Sequence, residues 1–360
     1  MRILFVSPDT TLEAGASQIA ATLAREMAAR GHQATLWVPS TPPIGQWPWL
    51  HRRTQGRELA RYAISHGPFD VVDTFPVLIE PALVGSSKVV ARSVQPDLLY
   101  LQIERASLLS QRGFAKKAFH ILTIEVLAAR VRRAYRFADR ILALGAAERA
   151  WIAARFPAVA DRLGSYLVAP PEEDQRNLAR VRQERQSAGP AGKRFLWIGR
   201  WATHKGTGRL LAWAQSHLGA NPHDHLTIAG YGEAPADEMA RLSPFCDRVT
   251  WVARFQRHEL PQLLANHDFG LFTSIEEGWG ISLNEMLESG MTVFATEIGG
   301  VPMLRKHFPR QLRAFPPRTS ELADEPDDPG ANGYFDIWSW PRIAAEYEAQ
   351  VELALSARRR

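Results

Sequence analysis

The sequence predicts an α/β protein made of two doubly wound, Rossmann-like domains in tandem. Three observations carry that prediction. The chain has 360 residues, more than the about 100 to 200 of one usual domain. Short apolar runs alternate with segments of helical periodicity, the pattern of a parallel sheet covered by helices. That alternation breaks once, at residues 170–193, and then restarts.

Residues 2–7 are an apolar run, and residues 18–30 place Ile19, Leu23 and Met27 at helical spacing before the stop signal Gly31. Residues 33–38 read as the next strand. Further strands are expected at 71–72, 88–92, 140–144 and 166–168, with helical segments between several of them, giving a first domain over 1–169. Residues 170–193 are rich in Glu, Gln, Arg and Asn, with Pro170, Pro171 and Pro190, and read as a linker. The second domain, 194–338, follows as strand 195–198, helix 207–217, strands 226–229 and 249–252, helix 259–265, strand 270–272, helix 282–289 and strand 292–295. Residues 319–333 read as an exposed loop. Residues 339–360 hold a closing helix, expected to pack back on the first domain, and end in Arg358, Arg359 and Arg360.

Composition narrows the function. Lys and Arg outnumber Asp and Glu by only 43 to 38, too small an excess for a nucleic-acid coat. The single Cys246 excludes an internal disulfide and fits a reducing compartment, so a cytoplasmic location is expected. The first apolar run is too short for a signal-peptide core. Residues 121–131 are interrupted by Glu125 and Arg130 and fall short of the roughly 20 apolar residues of a membrane span.

Ligands of open parallel sheets bind beyond the carboxyl ends of the strands, and two such sheets in tandem are expected to flank a cleft. The strand at 195–198 runs into Gly199, Arg200 and, further on, Lys205 and Gly206, just before a helix. A guanidinium fork, an ammonium and helix N–H groups together suit an anion; two solvated loop cations are the plain alternative. The strand at 270–272 leads to Glu277, Gly278, Trp279 and Gly280, and the following helix contains Glu285. Glycines there admit a close ligand, and the helix start aims its free amides back at the turn. A solvated loop acid and a helix-start acid would look the same. Thr296, Gly299 and Gly300 make another turn after the strand at 292–295.

The run Ser274, Glu277, Gly278, Trp279, Gly280, Glu285, Gly290, Ala295, Thr296, Gly299 and Gly300 resembles the signature of glycogen-synthase-like family 4 glycosyltransferases. Its hallmark is a pair of glutamates with seven residues between them, as Glu277 and Glu285 have. Gly199, Arg200, Lys205 and Gly206, the stretch 226–232 with Gly230, and Gly31 with His32 agree in order. The resemblance implies a GT-B fold and retaining transfer of a hexose-type sugar from a nucleoside-diphosphate sugar to a hydroxyl of a glycan, glycolipid or small molecule. Arg200 and Lys205 would neutralise the leaving diphosphate, Glu277 would contact the donor sugar, and Glu285 the ribose. Backbone at Gly280, Ile281, Ser282 and Leu283 would add phosphate contacts. No metal or other cofactor is expected. Cations and amides aimed at charge that grows as the sugar–phosphate bond breaks stabilise the transition state above the ground state.

The first domain departs from the pattern. A glycine pair near the first helix is replaced by Ala14 and Gly15, leaving one glycine for close approach to the donor. Histidines that many relatives carry are absent; Asp73, Arg92, Gln95 and Asp97 stand near those places and could orient an acceptor, or simply be strand-end polar residues. The absence of a glycine-x-glycine-x-x-glycine run weighs against a dinucleotide cofactor. Residues 105–140 interleave Arg112, Lys116, Lys117, Arg130, Arg132, Arg133 and Arg136 with apolar residues, a stretch that could rest on the anionic inner face of a membrane or be a solvated basic face. Trp279, set between glycines, is the tryptophan best placed to stack on a sugar. The alternative to an enzyme is a non-catalytic GT-B subunit that binds a sugar nucleotide or regulates a partner; a GT-B-like epimerase is a third reading.

Overall fold

A computed structural model describes residues 1–7, 15–40, 48–110, 115–185, 192–322 and 334–356. Its strands are β1 (Arg2–Val6), β2 (Gln33–Trp37), β3 (Val71–Thr74), β4 (Lys88–Arg92), β5 (Arg140–Leu144) and β6 (Leu163–Tyr166). They continue as β7 (Arg194–Ile198), β8 (His225–Ala229), β9 (Val249–Val252), β10 (Phe269–Phe272), β11 (Thr292–Ala295) and β12 (Leu312–Ala314). The helices are α1 (Gly15–Ala29), α2 (Pro48–His66), α3 (Pro81–Ser86), α4 (Asp97–Ser110), α5 (Ala115–Phe137), α6 (Gly145–Arg155) and α7 (Glu172–Glu184). After them come α8 (Thr207–Ala220), α9 (Ala236–Ala240), α10 (Leu260–Ala265), α11 (Ile281–Glu288), α12 (Val301–His307), α13 (Tyr334–Ile337) and α14 (Trp340–Ser356). Two compact units result, Met1–Ala169 with Trp338–Arg360, and Pro170–Ile337.

In the first unit six parallel strands lie in the order β2-β1-β3-β4-β5-β6. Ile3 to Val6 and all four residues of β3 are buried, as expected of parallel strands covered on both faces. The closing helix α14 belongs to this sheet's cover. Ile343, Tyr347 and Val351 recur every four residues on its buried side and pack it against α1, β4, β5 and β6. Glu348 fixes its register by pairing with Arg30 at 2.5 Å and His32 at 2.6 Å.

In the second unit the order is β12-β11-β10-β7-β8-β9, all parallel. The chain starts in the middle at β7, works outward to β9, and returns to place β10 on the other side of β7. That reversal makes the β7/β10 boundary the switch point of a Rossmann-type sheet, where ligands collect. Both units thus have the doubly wound architecture expected from sequence.

Three elements differ from expectation. The stretch read as a linker carries α7, because Glu172, Glu173 and Asp174 complement its amino end and Leu178 and Val181 are buried against α10 and α11. Arg185, just past it, donates to the carbonyls of His267 at 2.7 Å, Ser289 at 2.8 Å and Leu264 at 2.9 Å. β6 begins three residues earlier than the expected 166–168. β12 was not expected: it has three residues and exists through pairing with β11, Val293 opposite Leu312. Ala14, Arg112, Phe114, residues 323–333 of the expected loop and the arginines at 358–360 lie outside the described residues. Among those described, no helix is long and apolar enough to cross a membrane.

Candidate functional site

The loops after β7 and β10 are laced together at the switch point. Trp197 Nε1 donates to Thr273 Oγ1 at 3.0 Å, and that hydroxyl donates to the Lys205 carbonyl at 2.8 Å. The Ile275 amide reaches the His204 carbonyl at 2.7 Å. Gly206 adopts φ +69°, and a Cβ there would stand 1.9 Å from the Thr273 carbonyl oxygen, so only glycine lets the loops touch. The consequence is that Lys205 arrives beside Glu277: its ammonium donates a short hydrogen bond to Glu277 Oε2. The two side chains keep 19% and 17% of their surface, so the pair is reachable from solvent. Arg200 is exposed on the same loop. His204 is buried beneath it, its pKa pushed down to about 4 by desolvation and by Lys205, so this ring is neutral at pH 7.

Between β10 and α11 the chain turns through Gly278, Trp279 and Gly280. Gly280 sits at φ +89° with the Phe272 ring 2.8 Å from where a Cβ would be. It begins α11 without any side-chain cap, so the amides of Ile281, Ser282 and Leu283 face the turn with no intrahelical acceptor. Trp279 is 2% exposed, donates Nε1 to Asn284 Oδ1 at 3.1 Å and packs on Tyr334 with ring centroids 5.2 Å apart. Its faces are used by the core, which corrects its expected role as a sugar platform. An indole among apolar neighbours with its N–H satisfied is more stable than one left in a wet turn.

Glu285 lies in the second turn of α11, 3% exposed. Its Oε1 accepts from Arg257 Nη2 at 2.5 Å, and Arg257 Nε donates to Asp174 Oδ2 at 2.8 Å. Burial pushes the Glu285 carboxyl above its ordinary range, against the pull of Arg257. Neither Arg257 nor Asp174 was singled out from sequence. Arg257 follows β9, two strands from β7, and Asp174 looks like any acid in a helix first turn. On the other side, Thr296 Oγ1 donates to the Ser274 carbonyl at 2.6 Å and the Gly300 amide to the Trp279 carbonyl at 2.9 Å. Gly230, at φ +73°, closes β8 against Phe255. A cavity of about 800 Å³ lined by Arg209, Trp213, Ile275, Glu297 and Phe315 borders this loop but includes neither Lys205 nor either glutamate.

The acceptor candidates of the first unit divide. Asp73 and Arg92 have no exposed surface. Arg92 Nε donates to Asp73 Oδ1 at 2.7 Å, Tyr347 Oη donates to Asp73 Oδ2 at 2.6 Å, and the guanidinium lies over the Phe75 and Tyr166 rings at 5.3 and 5.7 Å. A buried charge requires a partner, and these two supply each other while tying α14 to the sheet. Their expected role toward an acceptor is corrected to this internal strut. Asp97, partly exposed, opens α4 with its pKa pushed up to about 7 by burial. Gln95 accepts from Ser93 Oγ through its carbonyl. Glu148, which sequence reasoning missed, has Oε1 2.6 Å from Ser93 Oγ and accepts at Oε2 from the Leu144 amide at 2.7 Å, and burial lifts its pKa to about 8. Gly15 is the first residue of α1. Among the described residues no group of three His, Cys, Asp or Glu side chains could hold a metal.

Residues 192–325 match the family model described as Glycosyl transferases group 1. The span contains β7 through β12 and with them Arg200, Lys205, Glu277 and Glu285. Over the whole length the fold is similar to the catalytic domain of starch synthase IV from Arabidopsis thaliana, solved with ADP and acarbose, at TM-score 0.62 and 11% identity, covering 99% of this chain and 100% of that one. It is similar as well to WaaG, a glycosyltransferase involved in lipopolysaccharide biosynthesis, at TM-score 0.62 and 16% identity, with 98% and 94% coverage. A third likeness is to Anabaena HepE in complex with UDP-glucose, at TM-score 0.56 and 15% identity, with 99% and 93% coverage. No curated protein sequence matches the chain. The fold is GT-B, with two Rossmann-like domains.

Proposed function

We propose that this protein is a retaining glycosyltransferase that moves a hexose-type sugar from a nucleoside-diphosphate sugar to a hydroxyl acceptor. The observation that carries the reading is the Lys205–Glu277 pair at the β7/β10 switch point, beside the uncapped start of α11. The family match over this unit supports it, as do similar folds solved with ADP or UDP-glucose. The diphosphate would draw Lys205 from Glu277, with Arg200 and the amides of α11 completing its cradle. Glu277, freed, would accept from sugar hydroxyls, and Glu285 from the ribose. As the bond from C1 to the phosphate oxygen breaks and one to the acceptor oxygen forms on the same face, the acceptor proton passes to the departing phosphate. Arg200 and Lys205 stabilise the charge left there, and transfer proceeds without a metal cofactor.

The test is turnover and thermal shift with uridine, guanosine and adenosine diphosphate sugars. Stabilisation by one nucleoside series together with slow donor hydrolysis is expected; indifference to all three would sink the reading. Stabilisation without turnover, under every acceptor tried, would favour a sugar-nucleotide-binding subunit instead. That second reading draws on the buried Asp73–Arg92 pair, which leaves Gln95 and Asp97 as the acceptor-side candidates. For surroundings, we propose peripheral contact with anionic lipid on the cytoplasmic side. Exposed Arg132, Arg133 and Arg136 of α5 lie on an element that also exposes Leu122 to 57%. Flotation with anionic but not neutral vesicles is the expected result.

A further inference from the structure

Glu285 is the more enclosed of the two acids, and the group that holds it comes from another element. Arg257 Nη2 stands 2.5 Å from Glu285 Oε1 and 2.8 Å from Asp174 Oδ2. One guanidinium therefore joins the segment after β9, the first turn of α7 and the second turn of α11. Its own side chain remains 37% exposed, whereas Glu285 keeps only 4% and Asp174 17%. Such a bridge does two things for a carboxylate in a dry setting. It fixes the plane of the acid by occupying one oxygen, and it supplies the positive charge without which burial would favour the protonated form. An ionised carboxylate accepts hydrogen bonds only, which suits two neighbouring hydroxyls that both donate; a protonated one must spend an oxygen as a donor.

Resting on the donor reading above, we infer that Arg257, anchored by Asp174, is a positioning residue that orients Glu285 to accept the ribose hydroxyls of the nucleotide. Among the described residues, other charges around Glu285 do not substitute for it. α7 also brings Arg182, but to Glu288 one turn further on, at 3.2 Å. β10 and β11 have no ionisable side chain, and the Asp174 carboxylate opposes ionisation of Glu285. The sign of the pH effect follows. With Arg257 present ionisation of the acid is favoured against the effect of burial, and nucleotide affinity should change little with pH near neutrality. Without it, Glu285 takes up a proton more readily, so affinity falls as pH is lowered and recovers as pH is raised.

The experiment measures binding of the ribo and 2′-deoxy forms of UDP, GDP and ADP to the full chain by calorimetry across pH 6 to 9, with thermal unfolding as a control. Wild type should prefer the ribo form of its nucleotide by about tenfold, the value of one hydrogen bond to a charged group. Arg257→Gln should shrink that preference toward one and give ribo-nucleotide affinity that rises with pH. Arg257→Lys, which keeps the charge but not the fork, should restore the flat pH profile with only part of the preference. An Arg257→Gln protein with the wild-type preference and a flat profile overturns the inference. Should that variant not fold, Asp174→Asn decides, since it releases Arg257 while leaving Glu285 its partner; an unchanged ribo preference again overturns it. A wild type that binds none of these nucleotides would remove the donor reading itself, a distinct outcome.

Discussion

Lys205 and Glu277 neutralise each other where a diphosphate and a sugar are proposed to part them. Both residues were legible in sequence because each lies just past the carboxyl end of a central strand. Lys205→Ala is expected to lower the turnover rate about a hundredfold, near 3 kcal/mol of barrier. Its effect on stability should stay under about 1 kcal/mol, because a solvent-reachable ion pair contributes little. Donor turnover beside a thermal melt checks both. Glu148 offers a residue-scale pH prediction. Its pKa is about 8 in the fold against 4.5 as the reference, so the folded state binds a proton that the unfolded chain releases. Stability from this group is full below about pH 4.5 and is lost as pH rises to about 8, at up to about 1.4 kcal/mol per pH unit. Glu148→Gln should lessen that slope in denaturant titrations, leaving the part due to Asp97, which is raised to about 7; an unchanged slope would refute the assignment. Arg257 and Trp279 were read less well. Their roles depend on what stands beside them, Glu285 in one case and Tyr334 in the other, and neither neighbour is near in sequence.

At the scale of elements, α11 shows how a turn and a helix make one device. The left-handed Gly280 lets the chain reverse against Phe272 and leaves the first amides of the helix uncapped. Gly280→Ala should therefore strain the backbone by about 1 to 3 kcal/mol, lower the melting temperature, and weaken nucleotide binding more than Lys205→Ala weakens folding. Retention of both stability and binding in calorimetry would count against the turn as described. Strands were legible wherever four or more apolar residues ran together, as in β1, β5 and β7. α7 was not, because a helix rich in Glu and Arg has only Leu178 and Val181 to mark its buried side. Its stability comes from partners in α10 and α11 and from the carbonyls that Arg185 caps.

At the scale of the whole molecule, each unit winds its own six-stranded parallel sheet, and the chain ends by returning α14 to the first of them. Periodicity, strand-end glycines and the spacing of Glu277 and Glu285 determined by themselves the doubly wound class and the neighbourhood of the candidate site. Those features are local, because a parallel strand covered on both faces is largely apolar and a left-handed turn favours glycine, whatever lies across from it. Which charges meet was decided only by tertiary structure. Asp73 became an internal partner for Arg92, and Arg257 became the partner of Glu285, because a charge taken out of water is held by whichever opposite charge the packing brings within reach.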